Sequence, residues 1–379
     1  MLTDREAAGR ILPRFIGSEI YRGSTYGKWH PLRVPRVSTV MDLSRAMGWL
    51  DAARYVTSPQ AKPKALRAWH EADYVAALTR VASAQEAEEA ERARFQLGTV
   101  TNPIFPEMFT RPATGVGGAL LSGELLAQGG VVFQPGGGTH HGMPGHANGF
   151  CYLNDPVFAI LSLRRNGARR VAYIDIDAHH ADGVEHGFGY DPDCLIVSIH
   201  EDGLWPRTGA LGSGGPATYN LPVTRGMHDD EMAFVRDALI LPLVEAFRPD
   251  AIVLQCGADA VEEDPLSHQS LSNNAHWGVV AALKGHAPRL LVQGGGGYNP
   301  WSVGRLWTGN WAVLNGFEIP DRLPVAAEDV LRGLSFEGNR RGRNPPEHWF
   351  TTLRDPPRHG PVRDQLRADV ATLHRKPVA

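Results

Sequence analysis

Five short aliphatic runs, each followed at once by polar or glycine-rich sequence, constrain this chain most. Val131–Gln134 leads into Pro135-Gly-Gly-Gly-Thr-His-His141, and Val171–Ile176 into Asp177-Ala-His-His-Ala-Asp182. Cys194–Ile199 leads into His200-Glu-Asp202, Ala251–Cys256 into Gly257-Ala-Asp259, and Arg289–Gln293 into Gly294-Gly-Gly-Gly-Tyr298. The runs are near-continuous rather than alternating, as in parallel strands covered on both faces. Helical patterns lie between them, at Gly115–Ala127, Pro156–Arg165 and Asp229–Phe247, the last stopping before Arg248-Pro249. Strand alternating with helix predicts an α/β fold with a central, mostly parallel sheet and helices on both faces. Such sheets bind ligands outside the carboxyl ends of their strands, so five chemistry-bearing strand ends predict one composite site.

Composition removes several function classes. The chain has 379 residues and a net charge of -3, so no global field draws it to nucleic acid or an anionic membrane. The charged start, Met1-Leu-Thr-Asp-Arg-Glu6, lacks an apolar core, and neither a signal peptide nor a membrane span is expected. Three cysteines (Cys151, Cys194, Cys256) cannot build a disulfide framework and read as reduced thiols in a cytoplasm. From about Glu337 the sequence turns to Arg, Pro and polar residues. We therefore expect a catalytic domain over 1–330. Residues 331–379 would form a C-terminal extension packed on the domain or on a partner subunit, anchored by Trp349 and Phe350, rather than a basic nucleic-acid tail. Homo-oligomerisation is left open.

Asp177 and His179 lie two apart, so on an extended segment they point to one side. Asp259 adds a third ligand from another strand end. Two carboxylates and one imidazole, with room for water and substrate, match a catalytic zinc site, although Fe(II), Co(II) or Mn(II) suit the same ligands. A lone strand-end aspartate is more often a turn or helix-capping residue. Asp175 differs, because it sits inside an apolar run where an unpaired carboxylate is costly. His140 and His141 supply imidazoles, and Asp175 and Asp182 supply carboxylates to orient them. A histidine so held has a raised pKa and a fixed tautomer, which suits acid–base work. The bland alternative, two satisfied loop histidines, sits poorly with the flanking glycines.

These residues resemble the metal-dependent histone deacetylase superfamily, from about residue 20 to about residue 325. The strong matches are His140-His141, Gly149-Phe-Cys-Tyr-Leu-Asn-Asp155, Asp175-Ile-Asp-Ala-His-His-Ala-Asp-Gly183, Gly257-Ala-Asp259 with Asp264-Pro265, and Gly294-Gly-Gly-Gly-Tyr298. His30-Pro31 with Arg36, and Trp69-His-Glu-Ala-Asp-Tyr74, are weaker. Within the superfamily the chain looks most like bacterial acetoin-utilisation-type deacetylases, through Asn102-Pro-Ile-Phe-Pro-Glu-Met108 and Tyr298-Asn-Pro-Trp-Ser-Val-Gly-Arg-Leu-Trp307.

The resemblance implies an arginase-like fold and hydrolysis of the acetamide of N-acetylated lysine-like amines, with release of acetate. It implies one Zn²⁺ held by Asp177, His179 and Asp259. His141, paired with Asp182, would be general base and then acid, with His140, paired with Asp175, as electrostatic partner. Tyr298 would donate to the developing oxyanion, a role worth roughly 3–4 kcal/mol in comparable sites. Gly149, Phe150, Trp205 and Leu266 would line a narrow channel for the lysyl stem, and Arg36 would stand at its inner end near the acetate exit. A structural K⁺ is implied at Asp175, Asp177, His179, Ser198 and Ile199, and a second around Phe188, Asp191, Cys194 and Tyr219.

The chain departs from the pattern at four places. Thr101 stands where many relatives have an aspartate that grips the substrate backbone, Ala181 where Gly is usual, Trp205 where Phe is usual, and Arg207 where Gly is common. These changes touch the rim, so an acetylpolyamine or other small acetylamide is the alternative substrate, with Glu107 as a candidate acidic rim residue. A two-manganese ureohydrolase and a non-enzymatic binding protein are the remaining readings. The first is opposed by the histidine pair and Tyr298, the second by a full set of ligands.

Overall fold

The five runs form the contiguous centre of one eight-stranded sheet. The computed structural model describes residues 11–24, 26–27, 30–336 and 344–376; the basic stretch 337–343 lies outside them. The strands are β1 Arg14–Gly17, β2 Tyr55–Thr57, β3 Gly130–Gln134, β4 Val171–Asp175, β5 Cys194–Glu201, β6 Thr218–Val223, β7 Ala251–Gln255 and β8 Arg289–Gln293. Their order is β2-β1-β3-β8-β7-β4-β5-β6, and every pairing is parallel. Strands β4, β5 and β7 are buried along their whole length, as their unbroken aliphatic sequence requires.

The flanking strands were not legible as strands. β1 and β2 have only four and three residues. β6 carries Asn220 and Pro222, and it lies at the sheet edge, where a missing N–H is tolerated. The predicted helices are present with shifted ends, at Thr110–Leu125 and Asp155–Arg165. The Asp229–Phe247 pattern is one helical run with a π turn at Arg236–Ile240, next to Pro242, which has no N–H to give.

Two elements fix the loops that matter. Asn154 caps helix Asp155–Arg165 by accepting from Val157 N at 3.2 Å. Its side-chain N–H groups reach back to the carbonyls of His140 (3.0 Å) and Gly142 (2.9 Å). Helix Pro300–Asn315 follows Tyr298 and buries three tryptophans. The Trp307 indole donates to the Cys256 carbonyl at 2.7 Å, tying that helix to the end of β7. Residues from the C-terminal part pack on the same body: Trp349, Leu353, Leu366 and Val370 join the main core, and buried Arg305 and Asp355 form an ion pair at 2.7 Å. Among the described residues no helix is long and apolar enough to cross a membrane.

Candidate active site

Asp177, His179 and Asp259 come together beyond β4 and β7, with one ligand atom of each within 4.8 Å of the others. His179 Nδ1 lies 2.9 Å from Asp259 Oδ2 and 3.2 Å from Asp177 Oδ1. Asp177 and His179 are not on a regular strand; the chain has left β4 at Asp175, and main-chain bonds hold it. Asp175 Oδ1 accepts from Asp177 N at 2.9 Å, and Asp177 Oδ1 from His179 N at 3.0 Å.

The glycines of the two facing loops are required by close approach. Gly296 N donates to Asp177 Oδ2 at 2.7 Å, and a Cβ on Gly296 would overlap Asp259 Oδ2. A Cβ on Gly257 would overlap the Asp177 carboxylate. Burial opposes a charge on His179, yet Asp259 and Asp177 outweigh it and hold the imidazole well above its ordinary pKa. The three side chains are buried and bring one ligand atom each to a common point. Two carboxylates and an imidazole so gathered fit a zinc ion.

Both histidine–carboxylate pairs form. His140 Nδ1 lies 2.8 Å from Asp175 Oδ2, which also accepts from the Tyr173 hydroxyl at 2.6 Å. His141 Nδ1 lies 2.7 Å from Asp182 Oδ1, and Asn148 steadies the other oxygen of Asp182 at 3.1 Å. The pairs are not equivalent. Burial lowers His140, but Asp175 and Asp177 overcome it and raise the ring to about 9. Burial lowers His141 as well, and charged His140 adds to it, so that it falls to about 4 despite Asp182. Near neutral pH one imidazole is charged and its neighbour is a free base.

Tyr298 lines one cavity with His140, His141, Asp177 and His179, and burial, then Asp259 and Asp177, hold its phenol protonated. Phe150 meets it edge-on at 5.9 Å. Trp205, 42 % exposed, stands edge-on to His141 at 4.6 Å, and a Cβ on Gly149 would overlap its ring. The Trp205 ring therefore lies directly against Gly149. Phe150 is itself left-handed (φ 69°), held by Asn102 Oδ1 accepting from its amide at 3.1 Å. Strain of this kind persists where the surroundings enforce it, often at functional sites. Leu266 packs in the cluster that contains Tyr298 and Phe150. Arg36 lines the cavity and donates to the Gly295 carbonyl at 2.7 Å.

The residues expected around potassium fall into two places. Ser198 lies opposite Asp175 in the β4–β5 register, its hydroxyl 3.0 Å from His200 Nδ1, with Ile199 next along β5. Phe188, Asp191 and Cys194 gather at the other end of β5, where Arg164 pairs with Asp191, while Tyr219 sits opposite Val197. This second group is not part of the cavity.

Several contributors escaped the sequence reading of roles. Asp155 accepts from Gly138 N (2.8 Å) and Thr139 N (2.9 Å), and so shapes the loop ahead of His140. His30 stacks on Tyr26 at 4.8 Å and meets Phe150 edge-on at 4.4 Å. Asp264 belongs to the matched Asp264-Pro265 pair and Asp155 ends the matched Gly149–Asp155 run, but the match assigns neither a role, and Arg111 carries no signal at all.

The sequence matches the Histone deacetylase domain over residues 30–314. The chain belongs to the histone deacetylase family. It is 33 % identical to the acetoin utilization protein AcuC of Bacillus subtilis over 325 residues, covering 82 % of this chain and 84 % of AcuC. Against human histone deacetylase 1 it is 33 % identical over 308 residues, 79 % of this chain and 64 % of that protein. The crystal structure of an HDAC homolog from Aquifex aeolicus superposes with a TM-score of 0.90 at 32 % identity, over 96 % of this chain and all of that one. An HDAC homolog complexed with SAHA matches equally well. The arginase-like expectation for the fold thus holds, and the chain is an amidohydrolase of the deacetylase type.

Proposed function

We propose that this chain is a zinc-dependent lysine deacetylase, with Asp177, His179 and Asp259 as metal ligands. One observation carries the reading: a histidine held by a carboxylate, His141 on Asp182, opens on the cavity that Asp177 and His179 of the ligand group also line. Zinc bound there supplies a Lewis acid that polarises the amide carbonyl and acidifies water. His141 takes a proton from the attacking water and returns it to the leaving amine. His140, charged and fixed on Asp175, stabilises the negative charge that develops beside it. Tyr298 donates to the carbonyl oxygen as it becomes an oxyanion. Gly149, Phe150, Trp205 and Leu266 enclose the four-carbon stem and exclude water, and Arg36 stands beyond the acyl group.

The same reading extends to structural potassium at Asp175, Asp177, His179, Ser198 and Ile199, and at Phe188, Asp191, Cys194 and Tyr219. It takes residues 1–330 as the catalytic domain and 331–379 as an extension packed on the domain or on a partner subunit. Three buried free thiols suit a reducing cytoplasm.

The test compares an acetyl-lysine peptide with N-acetylputrescine on the full chain at defined zinc content. Higher kcat/KM on the peptide is expected. Preference for the acetylamine would move the enzyme to the acetylpolyamine class, for which Thr101 at the rim is the motive. Turnover of neither would end the deacetylase proposal.

A further inference from the structure

The C-terminal segment reaches the loop on which Tyr298 depends. Three consecutive acidic residues, at the start of helix Asp229–Val235, take hold of it. Asp229 N donates to the Arg358 carbonyl at 3.0 Å, and Asp229 Oδ2 accepts from Arg358 N at 3.0 Å. Asp230 accepts from Gly360 N at 3.0 Å and lies 3.0 Å from His359 Nδ1. Glu231 accepts from the Arg363 guanidinium through both oxygens, at 2.6 Å each. Asp229 also accepts from Ser272 N at 2.8 Å, which ties the segment to the start of a second helix, Asn273–Leu283.

With its own amide and carbonyl fixed on Asp229, Arg358 turns its guanidinium to the carboxylates of Glu262 and Glu263. The side chains of Arg358 and Glu263 are 17 % and 16 % exposed, too enclosed for solvent to screen their pairing as it does at a surface. A planar guanidinium with several donors suits the bridging of two neighbouring carboxylates, which would otherwise repel each other.

From those carboxylates to the active site the path is short. The Glu263 carbonyl accepts from the Asn299 side chain at 3.2 Å, and Asn299 caps helix Pro300–Asn315 by accepting from Trp301 N at 3.1 Å. Asp264 accepts from Tyr298 N at 2.6 Å. Glu263 and Asp264 therefore hold two consecutive residues, Tyr298 and Asn299. The Tyr298 hydroxyl stands at the far end of a long side chain, so a small shift at its amide is carried to the donor atom. Misplacement of that kind costs catalysis, because a donor stabilises the transition state only from the right position.

We propose that Arg358 is a positioning residue for Tyr298: the C-terminal segment fixes loop 262–264, and that loop fixes the oxyanion donor. The inference rests on the reading of Tyr298 as that donor. It makes the C-terminal segment a working part of the active site, although none of its residues lines the cavity.

The full chain, loaded with zinc, is compared with Arg358→Met, Arg358→Lys, Glu263→Gln, Tyr298→Phe and the double variant Arg358→Met/Tyr298→Phe on an acetyl-lysine peptide. We expect kcat at least fivefold lower in Arg358→Met, with KM moved less and zinc content equal to the parent. Arg358→Lys keeps the charge and should recover part of the loss. The double variant should lie within twofold of Tyr298→Phe alone, because a misplaced donor cannot be lost twice. Hydrogen exchange, read by mass spectrometry, should be at least threefold faster at the peptide carrying the Tyr298 amide in Arg358→Met and unchanged in β4. If Arg358→Met does not fold, Glu263→Gln carries the same expectations at threefold or more. Parent kcat in Arg358→Met, losses that multiply in the double variant, or unchanged exchange at Tyr298 would each overturn the positioning role. Parent kcat in Tyr298→Phe would instead remove the oxyanion reading, and exchange at the Tyr298 amide would still decide whether Arg358 holds that residue in place.

Discussion

Asp264 accepts the main-chain amide of Tyr298 at 2.6 Å, and its other oxygen accepts the amide of Leu266 at 2.9 Å. One buried carboxylate thereby sets both the proposed oxyanion donor and part of the channel wall. Asp264→Ala should lower kcat at least tenfold, with KM moved less and the zinc content unchanged, because misplacing a donor by a fraction of an ångström weakens it mainly in the transition state. Asp264→Asn should fall between, since its amide keeps one acceptor and turns N–H groups towards the other donor. Loss of zinc in parallel with activity would show a structural role instead.

The base and the oxyanion donor can each be removed by one substitution. His141→Ala removes the neutral base and should cost roughly 10²–10⁴ in kcat with zinc retained. Tyr298→Phe removes one oxyanion donor and should cost roughly 10²–10³. Steady-state kinetics on zinc-quantified protein measures both. Near-parent turnover in His141→Ala would remove it as the base.

Gly296 tests the metal site without touching a ligand. A methyl group there overlaps Asp259 Oδ2 and presses on Asp177 Oδ2 at 3.1 Å. Gly296→Ala should lower zinc stoichiometry and affinity while the chain stays folded, as read by metal analysis and circular dichroism. Full zinc occupancy with parent affinity would mean that the loop yields.

The departure at Arg207 has a backbone cost. Arg207 is left-handed, φ 64°, a conformation that glycine adopts freely and other residues at roughly 1 kcal/mol. Its side chain is exposed, so Arg207→Gly should relieve that strain, with a net gain in chemical denaturation of at most about 0.5 kcal/mol because glycine also loosens the unfolded chain. A lower midpoint would show that Arg207 makes a contact worth more than the strain.

The centre of the sheet was legible because strands covered on both faces admit little besides aliphatic residues. The metal group was legible because Asp177, His179 and Asp259 each follow such a strand directly. What stayed hidden acts through the backbone or at long range. Asn154 works by holding the carbonyls of His140 and Gly142, and no side-chain pattern announces that. Arg111 reads as an ordinary helical arginine until Tyr21 and Tyr26, about ninety residues earlier, close around it. β6 was lost because Asn220 and Pro222 break its apolar run, a break tolerated at an edge.

Buried neutral histidines make stability depend on pH, and His70 shows the sign. Its Nδ1 lies 3.0 Å from the Met143 carbonyl and its Nε2 accepts from Asn154 N at 3.2 Å. Burial pushes it from 6.5 down to about 4. Between those values the unfolded chain binds the proton and the folded chain does not, so stability rises with pH across the window. It is full above pH 6.5 and is lost as pH falls towards 4, by at most about 3 kcal/mol for this group. Thermal melts from pH 7.5 to 4.5 should therefore show a falling midpoint. His70→Gln, which offers a donor and an acceptor without titrating, should flatten the slope by roughly one proton relative to the parent. An equal slope in the two proteins would mean that other groups carry the acid sensitivity. Protonating His70 removes the acceptor of Asn154 N, and Asn154 is the residue that holds the loop of His140 and Gly142. Activity lost on acidification should accordingly begin before global unfolding in the parent and be delayed in His70→Gln.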